Sequence, residues 1–102
     1  MNSKMAEERR RYIRRSLMLK VVCLNADDPR RRMETTSTDI SLGGIGLKIK
    51  NFMSRDLDLR IYGPSSRKPI MAKGTVVWQN LLKGRAGIQF TSIGWNDIKS
   101  LI

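Results

Sequence analysis

Histidine is absent from this 102-residue chain, and cysteine occurs once, as Cys23. The first absence removes imidazole acid–base chemistry and a Ser-His-Asp triad. With a lone thiol, the familiar zinc sites go too. One cysteine also excludes an intramolecular disulfide and fits a reducing compartment. Its place in an apolar run marks it as a small core residue. Acids are scarce, nine Asp/Glu against twenty Lys/Arg, and they fall mostly at strand ends or in loops. Such a set points to no enzyme and no cofactor. Apolar runs are short, and none approaches the ~18 residues of a membrane-spanning helix. No apolar segment follows directly on the charged N-terminus, so no secretory leader is expected and the chain reads as cytoplasmic. Aromatics make up 6% of residues, and the strands lack the surface pairs on which bases stack in small RNA- or DNA-binding barrels.

What is abundant is positive charge. The formal net charge is +11, and residues 1–32 alone hold ten Lys/Arg and four Asp/Glu, a net +6. That balance favours an anionic partner: nucleic acid, nucleotide or acidic lipid. The length suits one domain, and a hydrophobic content of 40% suits a folded one. Residues 1–9 are polar, without turn chemistry or an apolar anchor, and read as a flexible lead-in. Residues 10–102 form the domain.

Within it the period of two recurs. Ser16 to Leu24 reads as a first strand, with Leu17, Leu19, Val21 and Cys23 on one face. Asn25-Ala26-Asp27-Asp28-Pro29 breaks it, and Arg30, Arg31 and Arg32 extend the loop into solvent. Met33 to Ile40, rich in threonine, is a second strand. Ile45 to Lys50 and Leu57 to Tyr62 alternate cleanly. Ile70 to Gln79 is the longest strand, with Ile70, Ala72, Gly74, Val76 and Trp78 sharing one face, and Gly74 marks a bulge or bend. On that pattern Trp78 packs into the core, the alternative being that it lines a ligand site. Arg85 to Phe90 is the last strand. Trp95, Ile98, Leu101 and Ile102 then fall at helical spacing, so a short C-terminal helix is expected against one end. Six strands punctuated by turns predict an all-β fold, a six-stranded antiparallel β-barrel closed to remove its edges.

Two stretches carry chemistry. In Arg10-Arg11-Tyr12-Ile13-Arg14-Arg15, guanidinium forks are spaced to converge on one anion, and they suit phosphate and the guanine edge. In Asp39-Ile40-Ser41-Leu42-Gly43-Gly44, an ionised carboxylate can accept from the adjacent N1 and N2 donors of guanine, and Ser41 can donate or accept. Gly43 and Gly44 permit positive φ and close approach of a ligand. The alternative is a self-contained turn in which Asp39 and Ser41 bond their own backbone.

In order and at this distance, the two stretches resemble the signature motifs of the PilZ domain, a bacterial receptor family for cyclic di-GMP. That family carries Arg-x-x-x-Arg before the first strand and Asp/Asn-x-Ser-x-x-Gly between the second and third. Arg10 and Arg14 meet the first, and Asp39, Ser41 and Gly44 the second. Gly74-Thr75-Val76-Val77-Trp78 and Gly87-Ile88-Gln89-Phe90 look like its later strands. The resemblance implies a cytoplasmic barrel that binds cyclic di-GMP, often as an intercalated dimer of the nucleotide. Arg10, Arg14 and an additional Arg11 would clamp phosphates and bases. Asp39 would read a guanine edge, Ser41 would add a polar contact, and Gly43 and Gly44 would shape the turn. Arg15 stands where the family commonly has an apolar residue, and Arg85 has no assigned role. The arginine segment would order over the nucleotide and relay the signal to a protein effector, with no nucleic acid bound. The rival readings are a basic RNA- or DNA-binding barrel and a nucleotide-blind interaction module of the same fold.

Overall fold

Leu57, Leu59 and Ile61 alternate with Asp58, Arg60 and Tyr62, the pattern of a half-buried strand. In the computed structural model, which describes residues 13–64 and 68–102, this stretch becomes β4, Asp56–Tyr62, with the three aliphatic side chains buried. The other strands are β1 (Lys20–Asn25), β2 (Arg32–Ile40), β3 (Gly44–Lys48), β5 (Ile70–Asn80) and β6 (Arg85–Ile93), followed by a helix, α1 (Trp95–Lys99). All neighbours are antiparallel. The order β1-β2-β3-β6-β5-β4 closes because β4 pairs back onto β1. The expected six-stranded antiparallel barrel with a short C-terminal helix is therefore the fold. Closure leaves no unpaired edge. Inside, Val21 and Cys23 of β1 meet Ile40, Ile45, Leu47, Leu59, Ile61 and Ile88, while Ile98 and Leu101 seal one end.

The structure departs from the expected pattern at three places. Regular pairing of β1 starts at Lys20 rather than Ser16. Before it, Ser37 of β2 takes over: its buried hydroxyl donates to the Leu17 carbonyl at 2.5 Å and accepts from the Leu19 amide at 2.8 Å. An irregular entry thus keeps its polar groups satisfied. The second departure lies in the β5–β6 ladder, which carries two register shifts, one opposite the mid-strand glycine at Lys73/Gly74, where the extra residue is Thr91 of β6, and one at Val76/Trp78. The second inserts Val77 and reverses the side-chain parity beyond it. Trp78 therefore turns outward and is 46% exposed, which corrects its expected place in the core. Third, Trp95 lies outside the apolar seam of α1. It stays exposed, with the Lys99 ammonium 5.7 Å from its ring, while Ile98 takes the buried face.

Cys23 is buried as expected, and loss of hydration pushes its thiol up to about 12 from 9.0. The folded chain then holds this proton more tightly than the unfolded chain does. Its contribution to stability is complete below pH 9 and is lost as pH rises toward 12. Denaturant titrations should show stability falling by about 1.4 kcal/mol per pH unit just above pH 9, with the slope flattened in Cys23→Val. An identical slope in that variant would assign the loss to other groups. Among the described residues no helix is long and apolar enough to cross a membrane.

Candidate functional site

Residue pairing across four strands builds the site. Asp39 of β2 pairs with Gly46 of β3, Gly46 with Gly87 of β6, and Gly87 with Trp78 of β5. The neighbours Ile45, Leu47, Ala86 and Ile88 face the core, so this row lies on the outer wall. Its two central members have no side chains, and the flanking ones use that space. A Cβ on Gly46 would lie 3.0 and 3.2 Å from the Asp39 carboxylate oxygens and 2.6 Å from Thr38 Oγ1. A Cβ on Gly87 would strike the indole of Trp78. The carboxylate and the indole therefore lie flat against the sheet, over two glycines that face each other.

Asp39 is thus a strand residue, not a turn residue, and its side chain projects onto the wall rather than capping its own backbone. The turn itself is Ser41 to Gly43, and here the self-contained alternative holds. The hydroxyl of Ser41 accepts from the Gly43 amide at 3.2 Å, and its own amide donates to the Gly44 carbonyl at 2.9 Å. Neither Gly43 nor Gly44 has positive φ; among the described residues that conformation belongs to Gly84, at 65°. The need for glycine at 44 is steric, because a Cβ there would run into the Ile88 carbonyl of β6.

The arginine stretch enters from the side. Arg15 and Ile40 exchange two backbone hydrogen bonds of 2.8 Å, which pins the chain beside the end of β2. That places the Arg14 guanidinium 3.8 Å from Oδ1 of Asp39, with Arg14 largely exposed. An exposed pair of this kind contributes under about 1 kcal/mol to stability, so both groups are at little cost to a competing ligand. Arg10 and Arg11 lie outside the described residues.

One step along the same wall, Lys48 and Arg85 stand directly opposite each other on β3 and β6. Like charges in that position repel, and an anion between them would relieve the repulsion. Sequence reasoning passes over Gly46, Gly87 and Lys48 and leaves Arg85 without a role. Their signal is glycine at outward positions of two strands, which has meaning only once the strands are known to be neighbours. The assembled surface offers cations for phosphate, an acceptor-only carboxylate, and an aromatic face beside it.

Comparison with family models matches residues 8–102 to the PilZ domain. No curated protein sequence matches the chain. Among solved structures, the inhibitor of motility MotI/DgrA of Bacillus subtilis is similar, with 23% identity and a TM-score of 0.67 over 88% of this chain. The chain spans 46% of that protein. The PilZ domain of CeSA from a cellulose-synthesising bacterium gives 18% identity and a TM-score of 0.64, covering 87% of this chain and 90% of that one. The PilZ domain of YcgR from Escherichia coli, solved with c-di-GMP, gives 16% and 0.64, covering 91% and 86%. At these identities the structures speak for the fold.

Proposed function

The chain belongs to the PilZ domain family, and from that premise we propose that it is a receptor domain for cyclic di-GMP rather than a catalyst. The observation that carries the reading is the meeting of Arg14, Asp39 and Trp78 on one bare stretch of barrel wall. Asp39 accepts from guanine N1 and N2. Arg14, with Arg10 and Arg11 upstream, takes phosphate and base edges, and Trp78 offers its ring to a base. Ser41, Gly43 and Gly44 set the turn that fixes the end of β2. The chain upstream of the Arg15 clasp closes over the nucleotide, and the surface so formed meets a protein effector. Whether one nucleotide or an intercalated pair is bound follows from the stoichiometry of the titration below.

Calorimetric titration with cyclic di-GMP is the test. Saturable binding is expected, with little response to arbitrary oligonucleotides. Oligonucleotide binding that falls steeply with salt, without a response to cyclic di-GMP, would favour the nucleic-acid reading and sink this one. In the same assay Trp78→Ala should weaken binding roughly tenfold or more, since stacking on an aromatic ring is worth about 1–3 kcal/mol per base. Trp78→Phe should restore most of it. Full affinity in Trp78→Ala would remove the indole from the site.

A further inference from the structure

The end of the barrel away from α1 holds a feature that the nucleotide site does not use. Two loops meet there: 49–55, between β3 and β4, and 81–84, between β5 and β6. Ile49 donates to the Gly84 carbonyl at 2.9 Å, and the Gln79 amide accepts from the Met53 N–H at 2.8 Å and donates back to its carbonyl at 3.2 Å. These bonds tie the loops into one rigid rim. From it project Phe52, 70% exposed, and Leu82, 101% exposed, with Leu81 partly exposed beside it. Lys50, Arg55 and Lys83 stand in the same loops. Residues 49–55 and 81–84 together contain three Lys/Arg and no Asp/Glu, and none of the three has an acidic partner among the described residues. The third loop at this end, 26–31, sets Asp27 and Asp28 against Arg30 and Arg31 and leaves the balance unchanged.

We propose that this rim docks on an anionic lipid surface, with Phe52 and Leu82 entering the interfacial layer and the cations facing headgroup phosphates. The rim's charge selects the occupant. Leu82 is wholly exposed at the tip of a tight turn, in loops that carry cations and no acid, and an anionic bilayer needs only exposed apolar tips and a basic surround. Fixed loops also lose little conformational freedom on docking. The rim lies beyond the row that carries Asp39 and Trp78, so the proposal stands apart from the nucleotide reading.

Sedimentation with vesicles of phosphatidylcholine containing about one third phosphatidylglycerol is the test. The full chain should partition into these vesicles and not into pure phosphatidylcholine. The double variant Phe52→Ser/Leu82→Ser keeps every charge and touches no buried side chain. It should lose binding by roughly a hundredfold, about tenfold per apolar side chain withdrawn from water, while its melting temperature stays at the wild-type value. Lys73→Glu, in β5 and outside both loops, should bind within a few fold of wild type. Undiminished sedimentation of the double variant would mean that net charge alone holds the chain to the vesicle and would overturn the proposal. So would failure of the wild type to sediment, the result expected if the rim instead serves a protein partner.

Discussion

Asp39→Ala should remove cyclic di-GMP binding, with a loss of at least roughly a hundredfold in calorimetric titration, and should leave the melting temperature unchanged. The two halves of this expectation rest on different observations. The carboxylate lies on the outer wall over Gly46, and the cation beside it is the exposed Arg14 at 3.8 Å. Deleting it therefore takes little from the fold. Against guanine it is a two-point acceptor, and each hydrogen bond to a charged group is worth about 1.5–3 kcal/mol. Losing both costs two to four decades of affinity at about 1.4 kcal/mol per decade. Asp39→Asn discriminates further. It keeps the shape but turns one acceptor into a donor facing the donors of the base, so it should bind nearly as poorly as Asp39→Ala. Arg14→Ala should also weaken binding and should flatten its salt dependence, because a phosphate contact is lost. Wild-type affinity in Asp39→Ala would show that the base edge is read elsewhere.

Gly44→Ala should behave in the opposite way, lowering stability first and binding only as a consequence. The added methyl would meet the Ile88 carbonyl, which is backbone in the neighbouring strand and cannot rotate aside. Around that contact the chain is closely tied: Gly44 pairs with Gln89, the Phe90 amide donates to Gly43 at 2.9 Å, and the Ser41 amide donates to Gly44 itself. Overpacking a rigid site costs about 1–3 kcal/mol, and the upper part of that range applies where strand must move from strand. For a domain of this size each kcal/mol lowers the melting temperature by roughly 4–8 °C. A fall of about 10 °C or more in a thermal melt is expected. A melt that superimposes on the wild type would mean that β3 and β6 are not held so closely. The motif residues thus divide: Asp39 lies on the outer wall, where the proposed ligand would sit, Ser41 closes the turn, and Gly44 lets two strands meet.

The local patterns were readable in the chain and the non-local ones were not. Leu57, Leu59 and Ile61 announce β4 because alternation is a property of consecutive residues. Gly74 announces a bulge because glycine in mid-strand has few other uses. The bulge at Val77 has no such residue, so the parity of Trp78 reads wrongly and the indole is assigned to the core. The wall of the site depends on β3 lying beside β6, a pairing that no short stretch encodes. Asp39 and Trp78 can each be noticed in sequence, but their neighbourhood over Gly46 and Gly87 cannot. The clasp between Arg15 and Ile40 is equally hidden, since a two-bond bridge outside a regular strand leaves no periodicity.

The closed order of the strands also bears on how fast the molecule makes and loses its site. β3 and β6 are separated along the chain by two whole strands, as are β1 and β4. Such pairings are slow to form, because a long loop must close before any contact rewards it. The β2–β3 and β5–β6 hairpins can assemble early, but each brings only half of the row from Asp39 to Trp78. The halves join only when β3 docks on β6, one of the two non-local pairings that close the barrel. Whatever binds across that row has nothing to hold until that pairing is made. It therefore acts on the chain's lifetime and not on its birth, slowing unfolding while leaving the folding rate where it was.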